Sequence, residues 1–189
     1  LLGGVGVDNL EGGAGDDLID SGIGRGDFDR EYIEGGKGDD IIKTQGGVRI
    51  FYKKGDGNDL IINRALGASA AVMLQTQEVS STDVRLVRGS AEHPNDLLIH
   101  VLSDGATITV RDHFARFEGA RNAGIDTLFL DDAFWDLAQI DLRTPGMSNV
   151  ATEGNDFIVG LDRDANFSAL GGNDVVYGSN GDDTLRGDA

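Results

Sequence analysis

The large apolar residues near the start of the chain do not alternate, as in a half-buried strand. Nor do they return every three or four places, as in a helix. They return at one place in a nine-residue unit. Residues 3–11 (GGVGVDNLE), 12–20 (GGAGDDLID) and 35–43 (GGKGDDIIK) share the pattern G-G-x-G-x-D-x-U-x, where U is large and apolar. The eighth place holds Leu10, Ile19 and Ile42, and the sixth holds Asp8, Asp17 and Asp40. Such a unit has room for one very short strand around U, whose neighbours face the other way. Glycines at the first, second and fourth places let the backbone turn sharply between strands.

Tight turning aims carbonyl oxygens inward, and the aspartate adds a carboxylate to them. Hard oxygen ligands of both kinds are what Ca²⁺ takes, six to eight of them at about 2.3–2.6 Å. The candidate metal-binding residues are therefore Gly4, Gly6 and Asp8, then Gly13, Gly15 and Asp17, then Gly36, Gly38 and Asp40. The expected architecture is all-β, a parallel β-roll in which each unit makes one turn and one strand. Leu10, Ile19 and Ile42 would share a thin core, and several calcium ions would lie between turns stacked on the same edge. Composition alone favours a flexible Gly- and Asp-rich linker. The unbroken register of the sixth and eighth places argues against that reading when calcium is bound, and without calcium the linker reading is preferred.

Between the clean units, residues 21–34 are five longer than a repeat. They open like one (SGIG) and close like one (Tyr32, Ile33, Glu34), and Glu31 falls at the aspartate place. A bulged turn is expected, with Asp27, Asp29 or Glu31 as the replacement ligand. The RGD at residues 25–27 is read as a chance tripeptide. After residue 43 a turn at Gly46 and Gly47 leads into a longer strand, VRIFYKK at 48–54. Residues 55–61 (GDGNDLI) then bring Gly57, Asp59 and Ile61 back into phase, and Gly57 and Asp59 join the candidate ligands. This would close a first stack, with Phe51 and Tyr52 covering its open edge.

From residue 63 to about 150 glycine thins out and ordinary amphipathic segments appear. Strands are predicted at 71–74, 84–88, 97–102, 106–111 and 126–130, the third and fourth joined by Ser103-Asp104-Gly105, a strong hairpin signal. A short helix is predicted over 131–140, capped by Asp131 or Asp132, with Phe134, Leu137 and Ile140 on one face. The nine-residue phase returns at 151–189. There Gly154 and Asp156, Gly172 and Asp174, and Gly181 and Asp183 hold the fourth and sixth places, and Ile158, Val176 and Leu185 the eighth. The copy at 160–168 is degenerate. Ala165 stands at the aspartate place, Asp162 or Asp164 would have to compensate, and Phe167 keeps the apolar slot. Fewer ions are expected in this half. The expected division is a β-roll at 1–62, a small β-rich domain with a short helix at 63–150, and a second, truncated β-roll at 151–189. Leu1 and Leu2 sit at the eighth and ninth places of a unit whose start is missing, and residues 187–189 open another, so a fragment of a longer array is expected.

Charge sharpens this picture. The 189 residues carry 33 acidic and 16 basic side chains, a formal charge of −17. Residues 1–62 contribute −6, residues 151–189 also −6, and the longer middle only −5. Nucleic acid and anionic membrane surfaces are poor partners for such a chain. Several divalent cations would roughly neutralise the flanks, the expected logic of a fold coupled to metal binding. There is no cysteine, hence no disulfide framework or thiolate metal site, and no apolar run long enough to span a membrane.

At the nonapeptides the sequence resembles the RTX family, with haemolysin-type calcium-binding repeats. The middle resembles the haemolysin-type calcium-binding-related domain at Asn95-Asp96-Leu97-Leu98-Ile99, at Asp104-Gly105, at 107–114 (TITVRDHF) and at Trp135-Asp136-Leu137. These resemblances imply a module of a larger bacterial protein, exported unfolded by the type I secretion machinery and folding outside the cell on calcium. They bring no catalytic motif. The residues themselves offer none. His93, His100 and His113 form no HExxH pair, there is no G-x-S-x-G elbow, and Asp112-His113 lacks an evident serine partner. Asp131, Asp132 and Asp136 are explained more cheaply by helix capping. The fragment is therefore read as non-enzymatic. The alternative to a folding module is a ligand- or surface-binding module of an adhesin, surface-layer protein or polysaccharide-active enzyme. A glycan or other surface ligand would then meet Arg111, Arg116, Phe117 and Trp135.

Overall fold

The computed structural model describes residues 1–22, 31–45, 47–64, 72–89, 92–117, 120–121, 124–144, 157–159, 166–177 and 184–187. The chain forms two compact units, Leu1–Ile140 and Asp141–Ala189. In the first unit the strands are β1 (Asn9–Ala14), β2 (Leu18–Asp20), β3 (Glu31–Lys37), β4 (Ile41–Thr44), β5 (Val48–Lys53), β6 (Leu60–Asn63) and β7 (Val72–Gln77). They are followed by β8 (Val84–Arg88), β9 (Leu97–Val101), β10 (Thr107–Val110), β11 (Arg116–Phe117), β12 (Ala120–Arg121), β13 (Thr127–Phe129) and β14 (Phe134–Asp136). Helix α1 (Leu137–Arg143) comes next, and β15 (Phe157–Val159), β16 (Asn166–Ser168), β17 (Val175–Tyr177) and β18 (Thr184–Arg186) complete the chain. No helix among the described residues is long and apolar enough to cross a membrane.

The first six strands alternate between two sheets. The first sheet runs β1-β3-β5-β7-β13-β14 and the second β2-β4-β6-β10-β9-β8. Pairing is parallel from β1 through β13 and from β2 through β10, and antiparallel only at the last strands. Successive repeats therefore feed opposite sheets, which is the topology of a β-roll. The apolar eighth place makes one column in each sheet. Leu10, Ile33, Ile50, Leu74 and Leu128 are in register in the first. Ile19, Ile42, Ile61 and Val110 are in register in the second. All but Leu10, on the edge strand β1, are essentially inaccessible. Truncating one such residue to alanine costs about 2–5 kcal/mol.

The strands β5 and β7 bury every second residue, as a sheet with one wet face must. Val48, Ile50 and Tyr52 point in while Arg49 and Phe51 are partly exposed. The expected aromatic cap on an open edge is not what the structure shows. Tyr52 is buried and Phe51 lies mid-sheet, because β5 pairs with β7 over its whole length. Both sheets likewise run across residue 62, β7 continuing the first and β10 the second. The hairpin at Ser103-Asp104-Gly105 joins β9 to β10 as expected.

The predicted helix start is corrected. Residues 134–136 are not helical but form β14, opposite β13, with Trp135 buried against Leu128. The helix begins after Asp136, whose carboxylate accepts from the Gln139 amide at 2.9 Å. Asp132 caps nothing. It accepts from the Ser81 amide at 2.6 Å and the Ser81 hydroxyl at 2.9 Å, bonds that hold its pKa below the usual carboxylate range.

The described strands of the second unit repeat the scheme. β15 pairs with β17 and β16 with β18, both parallel, with Ile158 opposite Val176 and Phe167 opposite Leu185. The degenerate copy thus keeps its strand although it lost its aspartate. The Ala169 amide donates to the Arg186 carbonyl at 2.8 Å, the bond that Ser21 makes to Lys43 at 2.9 Å in the first unit.

Candidate metal centre

Parallel strands in two sheets force every connection from the first sheet to the second onto one edge of the roll. That edge carries the turns 12–17, 35–40 and 54–59. Their places stack. The Ile41 amide donates to the Asp17 carbonyl, and Leu60 to Asp40, both at 2.8 Å. The carboxylates at the sixth place form a ladder, in which the Asp17 amide donates to Asp40 Oδ1 at 2.8 Å and the Asp40 amide to Asp59 Oδ1 at 3.1 Å.

A second ladder, unforeseen from the sequence, runs through the fifth place. The Asp39 amide donates to Asp16 Oδ1 at 2.8 Å and the Asn58 amide to Asp39 Oδ1 at 2.9 Å. The signal was present as the doublets Asp16-Asp17, Asp39-Asp40 and Asn58-Asp59. The β9–β10 hairpin takes the place of a further turn. Asp104 Oδ2 accepts from the Gly55 amide at 2.8 Å and Asn58 Oδ1 from the Thr107 amide at 3.0 Å.

The glycines are explained by this stacking. A Cβ on Gly12 would lie 2.8 Å from Asp17 Oδ2, and one on Gly35 would overlap Asp40 Oδ2, so the first place must leave room for the carboxylate to fold back. A side chain on Gly36, Gly38 or Gly57 would strike the carbonyl oxygen of Gly13, Gly15 or Gly38 in the preceding turn. These glycines also hold φ of +95°, +139° and +122°, values that L side chains rarely adopt.

On the opposite edge Gly3 leans on Asp8 in the same way, its Cβ position 2.9 Å from Asp8 Oδ2. Gly4 and Gly6 have φ of +94° and +141°. Glu31 is buried at the start of β3, and the Tyr32 amide donates to the Asp8 carbonyl at 3.0 Å. Glu31 thus stands over Asp8 as Asp40 stands over Asp17. In the second unit Gly172 has a φ of +121° and Asp174 is half-buried. Gly154, Asp156, Gly181 and Asp183 lie outside the described residues, as do Asp27, Asp29, the RGD, Asp162, Asp164 and Ala165.

The electrostatics of the turn edge fit a cation. Asp8 Oδ2 and Asp40 Oδ2 are buried and accept no hydrogen bond. A buried carboxylate oxygen without a donor is costly. Burial, aided by neighbouring carboxylates, raises the pKa of Asp40, and burial also raises that of Asp56. Asp59 is pushed up to about 7, by burial first and then by Asp40, Asp56 and Asp39. A bound cation reverses this penalty. Among the described residues no three His, Asp or Glu side chains gather closely enough to hold a metal alone. An ion here must take backbone carbonyls together with one or two carboxylates, the hard-oxygen mixture that suits Ca²⁺.

Asp96, His113 and His100 make contacts within the fold. Asp96 is buried, pairs with Arg111 at 3.1 Å and accepts from the Asp112 amide at 2.9 Å. His113 is buried, its Nδ1 accepting from the Ile125 amide at 3.3 Å. His100 Nδ1 shares a hydrogen with the Thr107 hydroxyl at 2.8 Å. Of the residues expected to meet a ligand, Arg111 pairs with Asp96 and Trp135 is buried, while the side chains of Arg116 and Phe117 lie outside those described.

Parallel coils closed by glycine turns and lined by carbonyl and carboxylate oxygens define a β-roll of the calcium-binding repeat type. The family profile of the RTX calcium-binding nonapeptide repeat, in four copies, matches residues 1–28, 25–48 and 159–189, and these stretches are RTX repeats. No curated protein matches the chain.

Proposed function

We propose that this chain is a calcium-dependent folding and secretion module of a larger secreted RTX protein. The observation that carries the reading is the carboxylate ladder Asp17–Asp40–Asp59, packed against position-one glycines with Asp40 Oδ2 buried and without a donor. Without a cation the ladder is a row of close, partly desolvated like charges, and the coil is disfavoured. Extracellular calcium modules bind at about 10⁻⁴–10⁻³ M. In a calcium-poor cytosol the carboxylates repel and the chain stays open for export by type I machinery. Outside the cell, binding supplies the larger share of the folding free energy.

Residues Gly4, Gly6, Asp8, Gly13, Gly15, Asp17, Glu31, Gly36, Gly38, Asp40, Gly57 and Asp59 would hold ions in the first unit. Gly154, Asp156, Gly172, Asp174, Gly181 and Asp183 would do so in the second. The reading is tested by a calcium titration followed by far-UV circular dichroism with magnesium as control. A sigmoidal gain of β-structure near millimolar calcium, absent with magnesium, is expected. A chain fully folded in EDTA would overturn it.

A further inference from the structure

The outer face of the first sheet carries chemistry that calcium binding does not use. Tyr32 and Phe51 stand side by side there, ring centroids 5.7 Å apart and planes within 12°. They border an open cleft of about 230 Å³ whose wall also includes Asn9, Glu11, Glu34 and Gln77. Tyr32 is 39% exposed.

The lining selects its ligand. The rings stack on each other, and the outer faces and edges of the pair offer flat apolar area of the kind that packs on the C–H face of a pyranose. Asn9 and Gln77 each present donors and an acceptor, and the two carboxylates accept from hydroxyls. A mostly apolar platform with a few convergent polar groups is the usual make-up of a small-ligand site. No basic group lines the cleft itself, which is bordered by two carboxylates, so an anionic sugar is disfavoured there; Arg49, next along the face, is engaged by Gln75 Oε1 at 3.4 Å and lies 6.0 Å from the centre of the Phe129 ring. The same face continues beyond the cleft. Phe51, Gln75, Phe129 and Phe134 lie in register across β5, β7, β13 and β14. Phe129 and Phe134 form a second aromatic pair at 5.1 Å, and Phe134 is 54% exposed. Phe51 and Phe129 are two strands apart, about 10 Å, the reach of two pyranose units.

The geometry points to a binding face for a neutral glycan chain, laid across the strands from the Tyr32–Phe51 pair toward the Phe129–Phe134 pair. This goes beyond the calcium reading and depends only on the roll being folded. The test is isothermal titration of the full chain, folded in saturating calcium as checked by circular dichroism. The probes are neutral β- and α-glucan oligosaccharides, alginate oligomers, chitosan oligomers and a basic peptide. Binding of a neutral oligosaccharide is expected, weakened about tenfold or more by Tyr32→Ala or Phe51→Ala. Glu34→Gln keeps the rings and should weaken binding by a smaller factor while leaving the fold intact. Phe134→Ala should reduce affinity for a hexasaccharide and not for a disaccharide. A preference for alginate, chitosan or the peptide would overturn the proposal. So would binding unaffected by Tyr32→Ala and Glu34→Gln, or no binding by a chain that circular dichroism shows to be folded. Failure to fold in calcium would instead count against the calcium reading.

Discussion

The two edges of the first roll are built from the same repeat yet differ in continuity. One edge stacks three full turns, 12–17, 35–40 and 54–59, and the β9–β10 hairpin closes the row through Asp104 and Thr107. The other has a full turn at 3–8 and Glu31 over Asp8, and then only three residues separate β4 from β5. On the first edge the carboxylates of Asp16, Asp39, Asp40 and Asp59 each accept from an amide of the adjoining turn. The difference teaches that the nonapeptide is not self-sufficient. Its glycines and aspartate acquire their roles from the coil stacked on them, so the same repeat place is demanding inside a stack and lenient at its end: side chains on Gly36 and Gly22 would strike the carbonyls of Gly13 and Gly4, whereas Gly13 and Gly4 themselves face open space.

The largest contrast is expected at the second glycine. Gly36 and Gly4 have nearly the same φ, +95° and +94°, but only at Gly36 would a side chain meet a carbonyl, that of Gly13. Gly4→Ala should cost about 1–2 kcal/mol from the backbone alone. Gly36→Ala should cost about 4 kcal/mol, near the limit of single substitutions. Chemical denaturation in saturating calcium reads both, and equal costs would refute the stacking account.

A second contrast concerns the carboxylates. Asp40→Ala removes the acceptor for the Asp17 amide and the central oxygen of the ladder, whereas Asp8→Ala acts at the end of a row. The calcium midpoint should rise several-fold for Asp40→Ala and Asp17→Ala, and less for Asp8→Ala. An unchanged midpoint for Asp17→Ala would remove it from the ligand set.

Proton uptake gives a smaller effect with a definite sign. The pKa of Asp59 is raised to about 7 in the folded chain, against about 3.9 when unfolded. Its protonated form therefore favours folding. That contribution is complete below about pH 4 and is lost as pH rises through about 7. In EDTA, acidification from pH 8 to 5 should raise the thermal midpoint of whatever fold persists, and Asp59→Asn should flatten the trend. In saturating calcium the slope should reverse, because protons compete with the cation for the carboxylate.

The smallest change belongs to the fifth place. Asp39→Ala removes the acceptor for the Asn58 amide and side chain at an exposed site. A loss of about 1 kcal/mol is expected, with the calcium midpoint little altered. A large shift in that midpoint would make Asp39 a ligand.

Much of this was legible in the sequence because the repeat fixes what faces what. The nine-residue phase alone places Asp8, Asp17, Asp40 and Asp59 in turns, and the apolar Ile19, Ile42 and Ile61 on strands. Other features depend on tertiary pairing that no local pattern encodes. The residues DDAFWDLAQI satisfy helical spacing from Asp131, but β13 offers a partner strand and holds Phe134 and Trp135 extended. Phe51 and Tyr52 read as a cap only while β7 is out of sight. Asp16 and Asp39 were hidden by abundance, since an aspartate beside another draws no notice in an acidic chain.

One consequence of the strand alternation concerns how such a protein changes length over generations. Partners in β1 and β3 are 23 residues apart and those in β3 and β5 are 17, yet the apolar columns stay aligned. The surplus and the deficit are taken up where the chain passes from the second sheet to the first. Insertions and deletions there leave the hydrophobic register untouched. That edge is the natural site for grafting a foreign peptide, while the ladder edge varies less, with nine residues from Leu10 to Ile19 and from Ile33 to Ile42 and eleven from Ile50 to Ile61.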